Sequence, residues 1–311
     1  MRQVIGVLAL TALFVVAAAA DNPDWAYPVA PQGLPRPDPN KTVQVPGSDK
    51  QFTEVQVNDG FGPPDWFPGD HAAMPKIVAQ GNAPGVRACS LCHLTTGDGH
   101  PESSGVSGLP AAYIIRQMAE FKNENRKGIR AAAMVEIAKA ISDDDTRAAA
   151  EYFAARRPTK GFTKVIESAT VPKSYVAEGA MRFVAKEGSE PIGNRIIEVP
   201  QDEPGARTRN PRTGFVAHVP PGSIARGEAL ARTGGDGKTI ACESCHGPAL
   251  KGLGDVPSLA NKSPIYLYRQ LNDMQTGARS GAAMALMKPV VEKLTSEDML
   301  ALAAYMASLE P

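Results

Sequence analysis

The sequence predicts a mainly α protein: two tandem copies of one small helical domain, a β-containing segment between them and a Pro-rich arm in front. Two observations carry this. Cys89-Ser90-Leu91-Cys92-His93 and Cys242-Glu243-Ser244-Cys245-His246 share one C-x-x-C-H pattern, and together they use all four cysteines. The second observation is the interval between them, 242 − 89 = 153, which superposes residues 68–158 on 221–311 without a gap and with 22 identities in 91 positions. Among these are Gly81/Gly234, Tyr113/Tyr266, Arg116/Arg269, Gln117/Gln270, Arg126/Arg279, Met134/Met287 and Tyr152/Tyr305. Two copies, each with its own motif, make a duplicated domain and not a solenoid.

The pentapeptide spacing is the attachment signature of c-type heme. Two thiols about one helical turn apart each add across a heme vinyl group, and the following histidine is held under the iron as proximal ligand. A redox C-x-x-C of the thioredoxin kind needs a βαβ context, which this sequence lacks. A zinc site made from two such pairs brings them within ~20 residues in sequence.

On these motifs, with a downstream Met and a closing helix that carries Tyr305, the chain resembles class I cytochromes c, in particular the two-domain diheme kind called cytochrome c-four. The resemblance covers both repeats and leaves residues 21–67 and 159–220 unplaced. It implies two covalently bound heme c groups, attached through Cys89, Cys92, Cys242 and Cys245, with His93 and His246 as proximal ligands. It also implies a Pro whose carbonyl holds the proximal ring. Pro257 fits that role in the second copy, whereas its repeat partner is Ser104, so Pro101 or Pro110 is expected to substitute in the first. For the distal ligands the repeat frame selects Met134 and Met287, because 134 − 89 = 45 and 287 − 242 = 45. Met284 aligns with Ala131, Met274 with Phe121 and Met118 with Leu271, so none of these has a counterpart.

In chain order, residues 1–20 read as a cleaved secretory signal: Arg2, an uncharged run over 4–20, and Ala18-Ala19-Ala20 before Asp21. Export to the periplasm follows. Residues 21–67 form the Pro-rich arm, with Pro31, Pro35, Pro37 and Pro39 favouring extended chain and two short edge strands expected over 42–45 and 52–57. The first heme domain spans 68–158 and the second 221–311. Each is expected to open with a helix, over 70–81 and 223–234, N-capped by Asp70 or Ser223 and stopped by glycine. Each then carries a helix in which Tyr113 and Arg116, or Tyr266 and Arg269, share a face. That face is either directed at heme propionates or an ordinary amphipathic one. Each domain closes with a helix started by Ser142 or Thr295. Residues 159–220 are expected to be a small β-rich insertion, with strands near 196–199 and 215–219.

With 33 basic and 33 acidic residues the formal charge is zero, which argues against a nucleic-acid binder or a polybasic membrane protein. A His/Met pair fills both axial positions and raises the potential, so such a heme passes electrons and binds no substrate. The expected function is therefore a periplasmic electron carrier, or the electron-transfer subunit of a dehydrogenase or oxidase, with periplasmic or membrane redox proteins as partners. The rival is a peroxidase-like diheme enzyme. It needs an open axial position, and His71, His100 and His218 are the histidines outside the motifs.

Overall fold

The computed structural model describes residues 22–311; the expected signal over 1–20 lies outside the described residues. Strand β1 (Thr42–Val43) pairs antiparallel with β2 (Phe52–Thr53). The second strand is shorter than expected because helix begins at once with α1 (Glu54–Val57). Thr53 closes a capping box: its hydroxyl accepts from Gln56 N at 3.2 Å, and its own N–H donates to Gln56 Oε1 at 2.7 Å. Trp66 anchors this segment. It is 1% exposed, meets Phe52 edge-on, and donates Nε1–H to Thr208 O at 2.8 Å.

The first helical unit contains α2 (Lys76–Ala79), α3 (Ser90–His93), α4 (Ala111–Lys122), α5 (Ala132–Ala140) and α6 (Asp143–Ala154). Its opening departs from the helix expected over 70–81. Residues Pro68–Asp70 make one 3₁₀ turn, and α2 starts only after Pro75. Pro75 has no N–H to give a continuing helix, and proline pushes the residue before it out of the helical region. Asp70 is no cap; its carboxylate accepts from Arg212 at 2.7 Å.

A strand-bearing region follows: β3 (Thr163–Glu167), β4 (Thr170–Val176), β5 (Arg182–Pro191), β6 (Ile197–Pro200), α7 (Glu203–Arg207) and β7 (Phe215–Val219). β7 lies between β3, which it pairs in parallel, and β6, which it pairs antiparallel; β4 and β5 form a separate antiparallel pair. The second helical unit comprises α8 (Ser223–Thr233), α9 (Glu243–His246), α10 (Pro264–Gln275), α11 (Met284–Val291) and α12 (Ser296–Ser308). Here the N-cap of α8 is Gly222, with φ 82°, and Ser223 is already the first helical residue; Gly234 ends the helix at φ 76°. α8 crosses α12 so closely that a Cβ on Gly227 would stand 2.0 Å from Ala301 O. The first unit has Met74 and Pro75 where this one has Gly227 and Glu228, and there only the short α2 packs on α6, through Ile77 and Val78.

The two units have separate cores. Ile77, Val78, Val86, Ile141, Ala149, Tyr152 and Phe153 form the first. The second is larger and recruits residues from elsewhere: Ala26 and Tyr27 from the arm, and Ile196, Ala217 and Val219 from the strand region. Arm and strand region are therefore part of the second unit's packing.

Candidate heme-attachment site

Both pentapeptides fold as one turn of helix ending on the histidine. In α3 the turn is stopped by Leu94 at φ 62°, in α9 by Gly247 at φ 74°. The turn brings the two cysteines of each pair to one side, and all four are free thiols. Burial pushes the Cys89 thiol up to about 12 and the Cys242 thiol up to about 11, so neither is a thiolate at neutral pH.

Each histidine is held the same way. His93 Nδ1–H donates to Ser104 O at 2.8 Å, and His246 Nδ1–H donates to Pro257 O at 2.8 Å. A carbonyl only accepts, so the proton sits on Nδ1 and Nε2 is left with its lone pair free. Burial lowers the proton affinity of both rings, which keeps them neutral. That is the tautomer and charge state an axial ligand requires. In the first unit the acceptor is Ser104 itself, not Pro101 or Pro110. The acceptor is a backbone carbonyl, so any residue at that position supplies it.

Met287 lies in α11 and packs against the second core, as does Met274. Met284, one turn earlier, is absent from that packing. Met134 is half-buried in α5, while Met118 packs against the first core from α4.

The shared face of α4 and α10 lies at the seam between the units. Arg126 Nη1 donates to Gln117 Oε1 (2.9 Å), and its Nη2 donates across the seam to Tyr266 Oη (3.0 Å) and Gln270 Oε1 (2.7 Å). Arg279 repeats this in reverse, to Gln270 Oε1 (3.0 Å), Tyr113 Oη (3.2 Å) and Gln117 Oε1 (2.9 Å). Both arginines are buried, at 8% and 7% exposure, and among the described residues neither forms an ion pair with a carboxylate. Burial raises the Tyr266 phenol, but the two guanidiniums outweigh it and bring it down to about 8. The seam thus holds two desolvated positive charges whose direct hydrogen-bond partners are neutral dipoles, with the Asp273 carboxylate acting on both through space. Such a place suits anionic groups, and a heme carries two carboxylates at its edge. The residues present fit the group: paired thiols, a neutral ring nitrogen, thioether sulfurs and a cationic seam.

Arg116 and Arg269, partners in the repeat, part company. Arg116 Nη2 reaches Asp255 O at 3.3 Å. Arg269 is 2% exposed and donates to Ala26 O at 2.9 Å, to Pro101 O and to Glu102 Oε2 at 3.3 Å. The other histidines have local roles. His71 Nε2 lies 3.1 Å from Asp65 Oδ1, and His100 Nδ1 accepts from Glu102 N at 3.3 Å. Burial brings the His100 ring down to about 3. His218 is on β7, with Nδ1 buried and unbonded.

Free paired thiols beside a carbonyl-locked neutral imidazole define a c-type heme protein. The cytochrome c family profile matches residues 224–310. Cytochrome c-554(548) of Halomonas halodenitrificans is 36% identical over 85 residues, 27% of this chain and 99% of that protein. The chain belongs to the cytochrome c family, whose members transfer electrons through covalently bound heme. Longer relatives extend the likeness. The thiosulfate dehydrogenase electron acceptors of Thiomonas intermedia (strain K12) and Stutzerimonas stutzeri (strain A1501) are 26% and 28% identical, over 72% and 75% of this chain and 80% and 85% of theirs. Among solved structures, thiosulfate dehydrogenase (TsdBA) from Marichromatium purpuratum aligns with a TM-score of 0.51 and 27% identity, over 75% of this chain. The present chain spans only 39% of that longer one.

Proposed function

We propose that the protein is a periplasmic diheme cytochrome that accepts electrons from a thiosulfate-oxidising or similar dehydrogenase and passes them to a further redox protein. Cys89 and Cys92 would hold one heme, with His93 and Met134 as its iron ligands; Cys242 and Cys245 would hold the other, with His246 and Met287. The domain limits are 68–158 and 221–311, with 21–67 and 159–220 as arm and insertion. One observation carries the reading: two pentapeptides, 153 positions apart, each present a histidine whose Nδ1–H is tied to a carbonyl at 2.8 Å. The named electron acceptors among the relatives support the choice of donor. No described helix is long and apolar enough to cross a membrane.

Bound heme supplies a one-electron couple at its iron. The chain's own part is to hold the ligands in place, exclude water and set the charge nearby. The carbonyls of Ser104 and Pro257 fix the imidazole orientation and increase its basicity. Arg126 and Arg279 supply positive charge at the seam, which favours binding of carboxylates there. Mass spectrometry of the mature, acid–acetone-extracted chain is expected to show two added heme masses. Mixing oxidised protein with a purified thiosulfate dehydrogenase and thiosulfate should reduce it within the mixing time. A chain without heme mass would end the cytochrome assignment, and failure to reduce would end the donor assignment alone.

A further inference from the structure

One buried carboxyl outside both repeats has no role in the assignments above. Glu198 lies in β6, is 1% exposed, and has no counterpart in the repeat frame. Its Oε2 accepts from Ser263 Oγ at 2.7 Å, while Oε1 is buried with no partner. Ser263 is the N-cap of α10, and its hydroxyl also accepts from Tyr266 N at 3.2 Å. Six residues before Ser263 is Pro257, whose carbonyl holds His246. The strand region thus pushes a carboxyl into the loop that joins the second proximal histidine to α10.

The surrounding charges leave Glu198 undecided between its two forms. From α10 it faces Arg269, and from the loop after the first pentapeptide Glu102, which Arg269 and Arg130 already neutralise at 3.3 and 3.0 Å. Arg182 of β5 donates to Ser174 Oγ at 3.3 Å and acts on Glu102 only through space. On β7 the cross-strand partner of Glu198 is Ala217; His218 pairs with Ile197 and so points to the other face. No cation forms an ion pair with Glu198; the groups turned toward it are neutral donors, the Ser263 hydroxyl and the Ile265 backbone N–H at the start of α10, with Arg269 acting only through space. Burial lifts its carboxyl to about 7.

We infer that Glu198 is a redox-linked proton site, taking up one proton from solvent when the C-terminal heme is reduced. This rests on the two-heme reading. The balance is simple: one electron arrives from the reduced partner redox protein, one proton adds to Oε1, an O–H bond forms and none breaks. Added negative charge nearby raises proton affinity, and by linkage a bound proton favours the reduced state. The potential of one heme must then fall as pH rises through neutrality, approaching the ~59 mV per tenfold change of a one-electron couple.

Spectroelectrochemical titration of the holoprotein at pH values about two units either side of neutrality, in wild type and Glu198→Gln, tests it. The glutamine keeps an oxygen for Ser263. Wild type is expected to show one pH-dependent and one flatter potential, and E198Q to flatten the dependent one near its acid-side value. Redox-difference infrared spectra should show a carboxylic acid band appearing on reduction in wild type and missing in E198Q. Ser263→Ala, which removes the hydroxyl donor and leaves the backbone one, should move the pH midpoint upward and serves if E198Q folds poorly. A slope that survives in E198Q, or a wild type flat across the range, would overturn the inference while leaving the heme assignment intact. Absence of any redox wave would remove both.

Discussion

Arg126 and Arg279 face each other as an antiparallel bridge pair, with Lys127 N–H donating to Ala278 O at 2.8 Å and Ser280 N–H to Asn125 O at 2.6 Å. Each member of the arrangement is the other's partner at an interval of 153: Asn125/Ala278, Arg126/Arg279, Lys127/Ser280. The relationship continues outward. A Cβ on Gly128 would stand 2.3 Å from Asp273 Oδ2, and one on Gly281 would stand 2.0 Å from Glu120 Oε2. The seam is therefore a pseudo-twofold contact, made as an isologous dimer interface is made but within one chain. The strand region braces the units from outside; the repeat residues themselves set how they face.

This symmetry makes a double-mutant cycle informative. Arg126→Ala alone leaves Tyr266 and the amide oxygens of Gln117 and Gln270 short of a donor, costing about 1–3 kcal/mol. Arg279→Ala should cost the same. The double variant should be more destabilised than the sum, because each single variant leaves the shared Gln117 and Gln270 oxygens one donor and relieves the repulsion between the cations, relief that the second substitution cannot supply again. Denaturant unfolding of the four proteins reads the coupling, and strict additivity would show that the two sides act independently.

Asp298 governs acid stability. Its carboxylate is 1% exposed, closes the capping box of α12 with Thr295, and pairs with Arg226 at 2.7 Å and with Lys238. Burial opposes its ionisation, but the Lys238, Thr295 and Arg226 hydrogen bonds outweigh burial and hold it well below the usual carboxylate range. A depressed carboxylate stabilises the fold above its unfolded value, and that stability is lost as pH falls toward the folded one. Asp298→Asn should therefore cost on the order of 2–4 kcal/mol at neutral pH and much less in strong acid. Melting temperature against pH for both proteins checks this.

Glu198 has the opposite sign. Its carboxyl is raised from 4.5 to about 7, so its contribution is full below the unfolded value and fades as pH rises through the folded one. Oxidised Glu198→Gln should match wild type near pH 5 and exceed it in alkaline buffer, by at most about 3 kcal/mol. Equal alkaline stability would mean the carboxylate finds compensation on ionising.

Much of this was legible because it is local. Ser142 and Thr295 start α6 and α12 with side-chain bonds to the backbone three residues on, as the S/T-x-x-acid pattern requires. Gly234 stops α8 in the left-handed region. The frame failed where one substitution changes backbone chemistry: Pro75 against Glu228 breaks the first unit's opening helix, although the flanking glycines align. Asking for a proline at Ser104 misjudged which atom matters, since the bond goes to a carbonyl. The Arg126/Arg279 seam was visible only as a repeated pair, because contacts between distant segments leave no periodicity. Glu198 was invisible: its burial depends on β6, β7 and α10 coming together.

The distal ligands offer the sharpest test of the repeat frame. Met134 and Met287 stand at equal distances from their pentapeptides, and each lies within the first turn or so of the helix that follows the seam, α5 or α11. In the second unit Met287 rests against the core, as Met274 does, whereas Met284 does not. The first unit is the harder case, because Met118 packs on the core from α4 while Met134 is only half-buried. Soft thioether sulfur favours reduced iron, so losing it lowers the potential and leaves one axial position open. Met287→Ala should therefore make one heme high-spin, allow it to bind carbon monoxide and lower one potential. Met284→Ala should leave both spectra unchanged. Met134→Ala should open the other heme, and Met118→Ala should cost about 2–5 kcal/mol of stability with both hemes still low-spin. If Met118→Ala opened a heme and Met134→Ala did not, the first unit would have moved its ligand from α5 to α4, and the frame would hold for the second unit alone.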